Sequence, residues 1–263
     1  TMWAPLPALT LWMFRRFGWR LTWAIFGVVI AVVVTLLSWL FVRDQPEDLG
    51  LLIDGDERGA SAPLDEPGYA LRDAVRTRAY WLLAFGAALS PMVSTAVVFD
   101  IQPLLGARGV DADGAALAIS AWSVTMAIMA MPSGWLVDRF TPGRIIASGV
   151  AMQGVGCVVL VRADATAIAA VALAILAVGN ALAAAAIGAT AARYFGRLHH
   201  GAIRSSLSRL AVIATGLGPL LFGLSQRFTG GVDAALWGFA ALCGPAAIAA
   251  LRLAPPPELS ARA

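Results

Sequence analysis

Long apolar runs separated by short polar turns dominate this chain of 263 residues. A helix needs about twenty apolar residues to cross a hydrocarbon core about 30 Å thick. The runs of that length are 21–42, 78–105, 115–137, 145–161, 165–192, 202–224 and 232–251. An earlier stretch, 2–13, is shorter and contains two prolines, so it predicts only the end of a further span. The pattern predicts an all-α, polytopic transmembrane bundle with seven full spans and one partial span.

Composition supports a membrane protein and narrows its function. Hydrophobic residues make up 59% of the chain and charged residues 13%, which a soluble domain could not bury. All 19 basic residues are arginines, and they are scattered through the turns instead of forming a basic stripe. This distribution excludes nucleic-acid binding as the main activity.

One long polar segment, 43–77, divides the chain. It contains nine acidic residues and three prolines, so we expect a solvated linker. The predicted organisation is therefore an incomplete helical half over 1–42, the linker over 43–77, a six-helix bundle over 78–252 and a tail over 253–263. Twelve arginines fall on the side of the linker and the C-terminus, against six on the other side. The linker and the C-terminus are thus expected to be cytoplasmic.

A charged turn lies between the third and fourth full spans, 115–137 and 145–161. Gly134 is followed by Asp138, Arg139 and Arg144 within a few residues. Such charges cannot lie in hydrocarbon, so the turn must lie at a water interface. It could act as a topology anchor or as a conformational latch, in which Asp138 pairs with an arginine and with the positive end of a neighbouring helix.

Several polar or aromatic residues within the spans are candidates for binding a solute or a coupling ion. Arg209 could neutralise an anionic substrate or extend to the interface. Asp100, beside Gln102, could bind and release a proton or be an ordinary interfacial acid. Asn180, at mid-span, could contact substrate or another helix. Trp122 could stack on a ligand, although packing is the commoner role of such residues.

The sequence contains no nucleophile motif, phosphate-binding loop or set of side chains with metal-ligand spacing. We therefore expect neither an enzyme nor a cofactor or metal site.

The charged turn and two further segments carry a family resemblance. Together with Arg193-Tyr-Phe-Gly-Arg197 and the linker start at 43–50, the turn resembles the major facilitator superfamily. The resemblance implies the family's C-terminal half, from the end of helix five through helix twelve, with the charged turn between helices eight and nine. It favours the latch and implies a partner for Asp138 at the cytoplasmic start of helix five. Residues 17–20 and 46–50 are similar to the bacterial monocarboxylate and oxalate/formate antiporter-like branch.

The resemblance implies a secondary transporter in the bacterial inner membrane. Its substrate would be a small organic solute such as a monocarboxylate, moved by alternating access with proton coupling or exchange. Because alternating access uses two six-helix halves, we expect either a truncated chain or assembly with a second chain. The alternative is a non-transporting membrane subunit, or an inactive remnant of a transporter, that binds a partner.

Overall fold

The structure, a computed structural model, describes residues 5–41, 68–196 and 198–256. Within these residues it contains only helices and the turns between them. The helices are α1 (Pro5–Phe41), α2 (Leu71–Ala74), α3 (Arg78–Phe99), α4 (Ile101–Gly106), α5 (Ala112–Arg139), α6 (Pro142–Val161), α7 (Thr166–Phe195), α8 (His200–Thr229) and α9 (Asp233–Leu251). The all-α fold predicted from the apolar runs is confirmed.

Seven helices in the described part of the chain are long and apolar enough to cross a membrane. They are Trp12–Leu40 within α1, followed by α3, α5, α6, α7, α8 and α9. This number agrees with the seven full spans predicted from sequence.

The chain divides into two compact units, Thr1–Leu64 and Asp65–Ala263. In the first unit, α1 is interrupted at Gly18, whose φ of 75° and ψ of 162° are not helical. Glycine tolerates this conformation because it lacks a Cβ atom. The short helical stretch before Gly18 includes most of the predicted partial span.

The second unit is a bundle in which α7 packs against both α5 and α6, and α6 packs against α9. At the crossing of α6 and α7, a Cβ added to Gly149 would lie 2.8 Å from the Ala183 nitrogen and from the Gly179 carbonyl oxygen. Only glycine permits so close an approach, and in lipid such contacts replace the hydrophobic effect as the source of helix association. The two helices therefore touch along their backbones.

Helices α3 and α8 form the other extensive contact of the bundle. Tyr80 and Ser206 share a hydrogen bond of 2.5 Å between their hydroxyl oxygens. A Cβ added to Gly218 would collide with the carbonyl oxygen of Met92. These two helices thus form a tightly packed pair.

Two predicted boundaries differ from the structure or lie outside it. The predicted span 78–105 is broken at Asp100, where α3 ends and the short helix α4 begins. Of the predicted linker, residues 43–67 lie outside the described residues, as do residues 257–263 of the predicted tail. Residues 68–77 pack on the bundle: Tyr69 donates its N–H to the Phe195 carbonyl at 2.8 Å, and Ala74 is fully buried.

Candidate functional site

A cavity of about 420 Å³ lies between α3, α7 and α8. Its polar lining residues are Ser90 and Ser94 from α3, Asn180 from α7, and Arg204 and Ser208 from α8. Alanine, isoleucine, leucine, glycine and proline residues form the rest of the wall. A few hydrogen-bonding groups in a mainly apolar wall are typical of a small-molecule site.

Ser90 connects this cavity to the interior of the bundle. Its hydroxyl donates to the Asn180 side-chain oxygen at 3.1 Å and accepts from the Gln153 amide nitrogen at 2.5 Å. The Asn180 amide nitrogen lies 3.8 Å from the Met126 sulfur. The network therefore joins α3, α5, α6 and α7 through side chains.

Asn180 is the one member of this network that was a candidate from sequence, and the buried Gln153 was not. The Gln153 side chain is almost completely buried, and its Oε1 atom has no hydrogen-bond partner among the residues that the structure describes. The available signal was a lone amide inside the otherwise apolar run 145–161. Polar groups within a span lie inside the bundle or against water, so this pattern indicates an interior position for Gln153.

The structure brings Asn180 to the cavity but leaves two other sequence candidates away from it. Arg204 and Arg209 of α8 are both exposed, but Arg204 lines the cavity and Arg209, five positions later, does not. Trp122 is half-buried and packs against the hydrophobic core of the bundle. Arg204 is therefore the arginine of α8 that lines the cavity.

Not every span that carries polar residues reaches the cavity. Helices α3, α7 and α8 line it. On α5, the hydroxyls of Ser120 and Ser123 bond to carbonyl oxygens of their own helix and are exposed. No residue of α5 lines this cavity.

Asp100 lies at a second cavity, of about 440 Å³, just beyond the end of the α3 span. Arg108, Gln226 and Asp233 line the same space. Partial burial raises the pKa of the Asp100 carboxyl above its ordinary value of 3.8, because the charged form loses hydration. Gln102 is exposed and does not line the cavity.

Arg108 forms a bridge beside this second cavity. Its guanidinium donates to the Leu160 carbonyl at the end of α6 and to the Asp233 carboxylate at the start of α9. Only 15% of the Arg108 side chain is exposed, whereas 58% of the Asp233 side chain is. The arginine therefore holds together the ends of two helices that are far apart in sequence.

An ion pair at the charged turn connects α5 with α7. Arg193, near the end of α7, donates to the Asp138 carboxylate at 2.7 Å and to the Val137 carbonyl at 3.1 Å. The Arg139 guanidinium lies 5.6 Å from the centre of the Trp135 ring. Arg144 is exposed, and Gly134 is partly exposed, with open space where a Cβ would be.

Arg193 is a partner for Asp138 that the sequence analysis did not identify. The two residues are separated by 55 positions, so no local pattern links them. The other expected partner of Asp138, at the cytoplasmic start of the family's helix five, stays a prediction.

Among the described residues, no group of three or more histidine, cysteine, aspartate or glutamate side chains is placed to hold a metal ion.

Comparison with known proteins supports one family. A family model described as Major Facilitator Superfamily matches residues 83–263, which include most of α3 and all of α4 to α9. No curated protein matches the chain.

Proposed function

The chain belongs to the major facilitator superfamily of membrane transporters, and from that premise we propose that it carries a small organic anion, such as a monocarboxylate. The observation that supports this substrate class is the composition of the 420 Å³ cavity between α3, α7 and α8. Hydroxyl and amide groups line it together with one guanidinium, that of Arg204. A guanidinium forms paired hydrogen bonds with a carboxylate, which gives it geometric selectivity for such a group.

We assign the anion-binding role in this proposal to Arg204 instead of Arg209. Arg204 lines the cavity together with Ser208 of the same helix, and Asn180 and Ser94 line it from the facing helices. An arginine at a cavity can remain solvated until an anion replaces its water. Its cost in the membrane is therefore lower than that of an arginine facing lipid.

The proposed mechanism is alternating access with proton coupling or exchange. In secondary transporters the substrate site lies between two halves that move around it. The cavity described here belongs to one six-helix bundle, and we propose that a second six-helix half closes it. Asp100, whose pKa is raised at the other cavity, is the proposed proton-binding residue.

The Asp138–Arg193 pair is proposed as the latch of one conformational state. Both side chains are substantially exposed, 75% and 44% respectively, so the pair contributes little to stability. A weak contact of this kind can break and form again during a transport cycle. On the proposed orientation, in the bacterial inner membrane, this turn and the C-terminus face the cytoplasm.

The test compares Arg204→Gln with Arg209→Gln, which remove the same charge from the same helix. The purified chain is heated in detergent with acetate, lactate or pyruvate, and with acetamide as the uncharged analogue. We expect the carboxylates to raise the unfolding temperature of the unmodified chain and of the Arg209→Gln variant, and to leave the Arg204→Gln variant unchanged. Uptake of the radiolabelled carboxylates into cells expressing the gene should likewise persist in the Arg209→Gln variant and be lost in the Arg204→Gln variant.

Two outcomes contradict the proposal. Equal stabilisation by acetamide would exclude recognition of the charged group. Binding without uptake would instead support a membrane subunit that does not transport.

A further inference from the structure

A third cavity lies where α3 begins and α9 ends, away from the proposed solute site. It has a volume of about 430 Å³. Its charged lining residues are Arg76, Arg78, Arg252 and Asp73, and Leu82 and Pro256 are among its apolar ones. The residues come from both ends of the bundle's sequence, so the cavity exists only in the folded unit.

The cavity has an excess of positive charge. Three guanidinium groups line it against one carboxylate, that of Asp73. None of the three arginines forms an ion pair with a carboxylate within the part of the chain that the structure describes. Guanidinium groups bind phosphate oxygens through paired hydrogen bonds, so the cavity suits a phosphate-bearing anion.

The position of the cavity along the helices indicates where that anion comes from. The α3 span begins at Arg78 and the α9 span ends at Leu251, so the arginines lie at the level where both helices leave the hydrocarbon. Trp81, with 59% of its surface exposed, donates its ring N–H to the Val75 carbonyl at 2.8 Å. Exposed tryptophans are enriched at the height of lipid head groups.

An apolar strip continues from the arginines into the membrane. Arg78, Trp81, Leu82 and Phe85 are spaced i, i+3, i+4 and i+7 on α3 and therefore share one side of the helix. Trp81 and Phe85 are both exposed, and Leu82 also lines the cavity. The charged end and the apolar strip together have the polarity of a phospholipid.

We propose that this cavity binds the phosphate head group of an anionic phospholipid through Arg76, Arg78 and Arg252, with an acyl chain along Trp81, Leu82 and Phe85. Free phosphate shares the head-group chemistry, but it would make no use of the apolar strip. Basic pockets beside membrane-spanning helices are known lipid-binding features in general. This inference is independent of the proposed solute and of the proposed coupling.

The test measures lipid retention by native mass spectrometry. The full chain is reconstituted in nanodiscs of phosphatidylcholine alone or mixed with phosphatidylglycerol, then released. We compare the unmodified chain with R76Q/R78Q/R252Q and with R72Q/R162Q/R227Q, which removes three exposed arginines that do not line this cavity. We expect the preference for phosphatidylglycerol to fall about tenfold or more in the first variant and to persist in the second.

Further measurements separate lipid binding from misfolding and from free phosphate. The single variant Arg252→Gln should show a smaller loss of preference while keeping the unfolding temperature measured in phosphatidylcholine nanodiscs. An equal preference in the two triple variants overturns the proposal. Stabilisation by inorganic phosphate, without any preference for phosphatidylglycerol, overturns it in favour of a soluble anion.

Discussion

At the scale of the residue, the hydroxyl of Ser90 connects the solute cavity with the bundle interior. It donates to the Asn180 side-chain oxygen and accepts from the Gln153 amide nitrogen, so removal of the hydroxyl takes away the hydrogen bond that each of these two atoms makes with Ser90. Buried polar groups without partners cost more free energy than a formed hydrogen bond contributes.

We expect Ser90→Ala to lower the free energy of unfolding by about 1–2 kcal/mol. Ser120→Ala is the matched control, because the Ser120 hydroxyl is exposed and bonds only to a carbonyl of its own helix. The control should change this free energy by less than about 0.5 kcal/mol. Unfolding of both variants in mixed micelles with rising sodium dodecyl sulfate provides the measurement, and equal effects would contradict a special role for Ser90.

Asp100 makes stability depend on pH in a definite direction. Its pKa is raised in the folded chain by loss of hydration, so the folded state holds the proton to a higher pH than the unfolded state does. Stability is therefore unaffected below 3.8 and falls as the pH rises from 3.8 through the raised pKa.

We expect Asp100→Asn to remove this fall, and so to unfold at a higher temperature than the unmodified chain at neutral pH. Asp113→Asn, which removes an exposed acid at the start of α5, should retain the fall. Thermal unfolding of the three proteins across the acidic to neutral range provides the test. A fall of the same size in Asp100→Asn would assign the pH dependence to another group.

At the scale of the element, the crossing of α6 and α7 depends on two glycines. A Cβ added to Gly179 would lie 2.5 Å from the Gly149 carbonyl oxygen and 2.9 Å from the Gln153 nitrogen. Backbone atoms cannot move aside as a flexible side chain can, so the helices must separate.

Gly179→Ala should therefore destabilise the chain by about 1–3 kcal/mol. Gly188→Ala, on the same helix, meets open space and should be neutral or stabilise by up to about 1 kcal/mol, because alanine is the better helix former. The midpoints of unfolding in detergent distinguish the two. A loss in Gly188→Ala as large as that in Gly179→Ala would show that general helix crowding, and not this crossing, is responsible.

Helices were the elements that sequence predicted best. Each apolar run is long enough to predict a membrane span without information about the other helices. The structure has a helix at each of the seven runs. The break at Asp100 was missed because hydropathy averages over a window and Ile101 to Leu105 are mostly apolar. The ends of α8 at His200 and Thr229 extend beyond the predicted 202–224, since helices continue past the hydrocarbon.

The candidate site was less predictable. The sequence shows that α3, α7 and α8 carry polar residues. It does not show whether Arg204 or Arg209 lines the cavity. That choice depends on the rotation of α8 against α3, which is fixed by contacts such as Gly218 with Met92. The pairing of Asp138 with Arg193 likewise depends on the way α5 and α7 pack.

At the scale of the whole molecule, two ion pairs connect different pairs of helices. Arg108 connects the end of α6 with the start of α9, and Asp138 with Arg193 connects α5 with α7. The first arginine is mostly buried and the second pair is exposed, so their energies should differ.

We expect Arg108→Gln to lower the free energy of unfolding by about 2 kcal/mol, because the variant loses charge-assisted hydrogen bonds to two helix ends. Arg162→Gln, which removes an exposed arginine immediately after α6, should have an effect of less than about 0.5 kcal/mol. Chemical unfolding of both variants provides the comparison. No difference between them would show that the bridge does not form in the membrane-like environment.

A double-mutant cycle of Asp138→Asn and Arg193→Gln should give a coupling of about 0.2–1 kcal/mol in unfolding, as for other exposed pairs. If the pair is a latch, transport rates of the single variants should change more than their stability does. Charge reversal at both positions should then recover part of the rate. Loss of stability with unchanged rates would assign the pair a purely structural role.

The walls of the solute cavity belong to two groups of helices. Helices α3 and α8 pack mainly against each other, while α5, α6, α7 and α9 form a continuous series of contacts. Ser90 donates across this boundary to Asn180, and Gln153 donates back across it to Ser90. A small tilt of the α3–α8 pair would therefore change the width of the cavity. It would rearrange these polar contacts and the lesser packing of α3 and α8 on α7 and α9, and leave the glycine crossing of α6 and α7 intact.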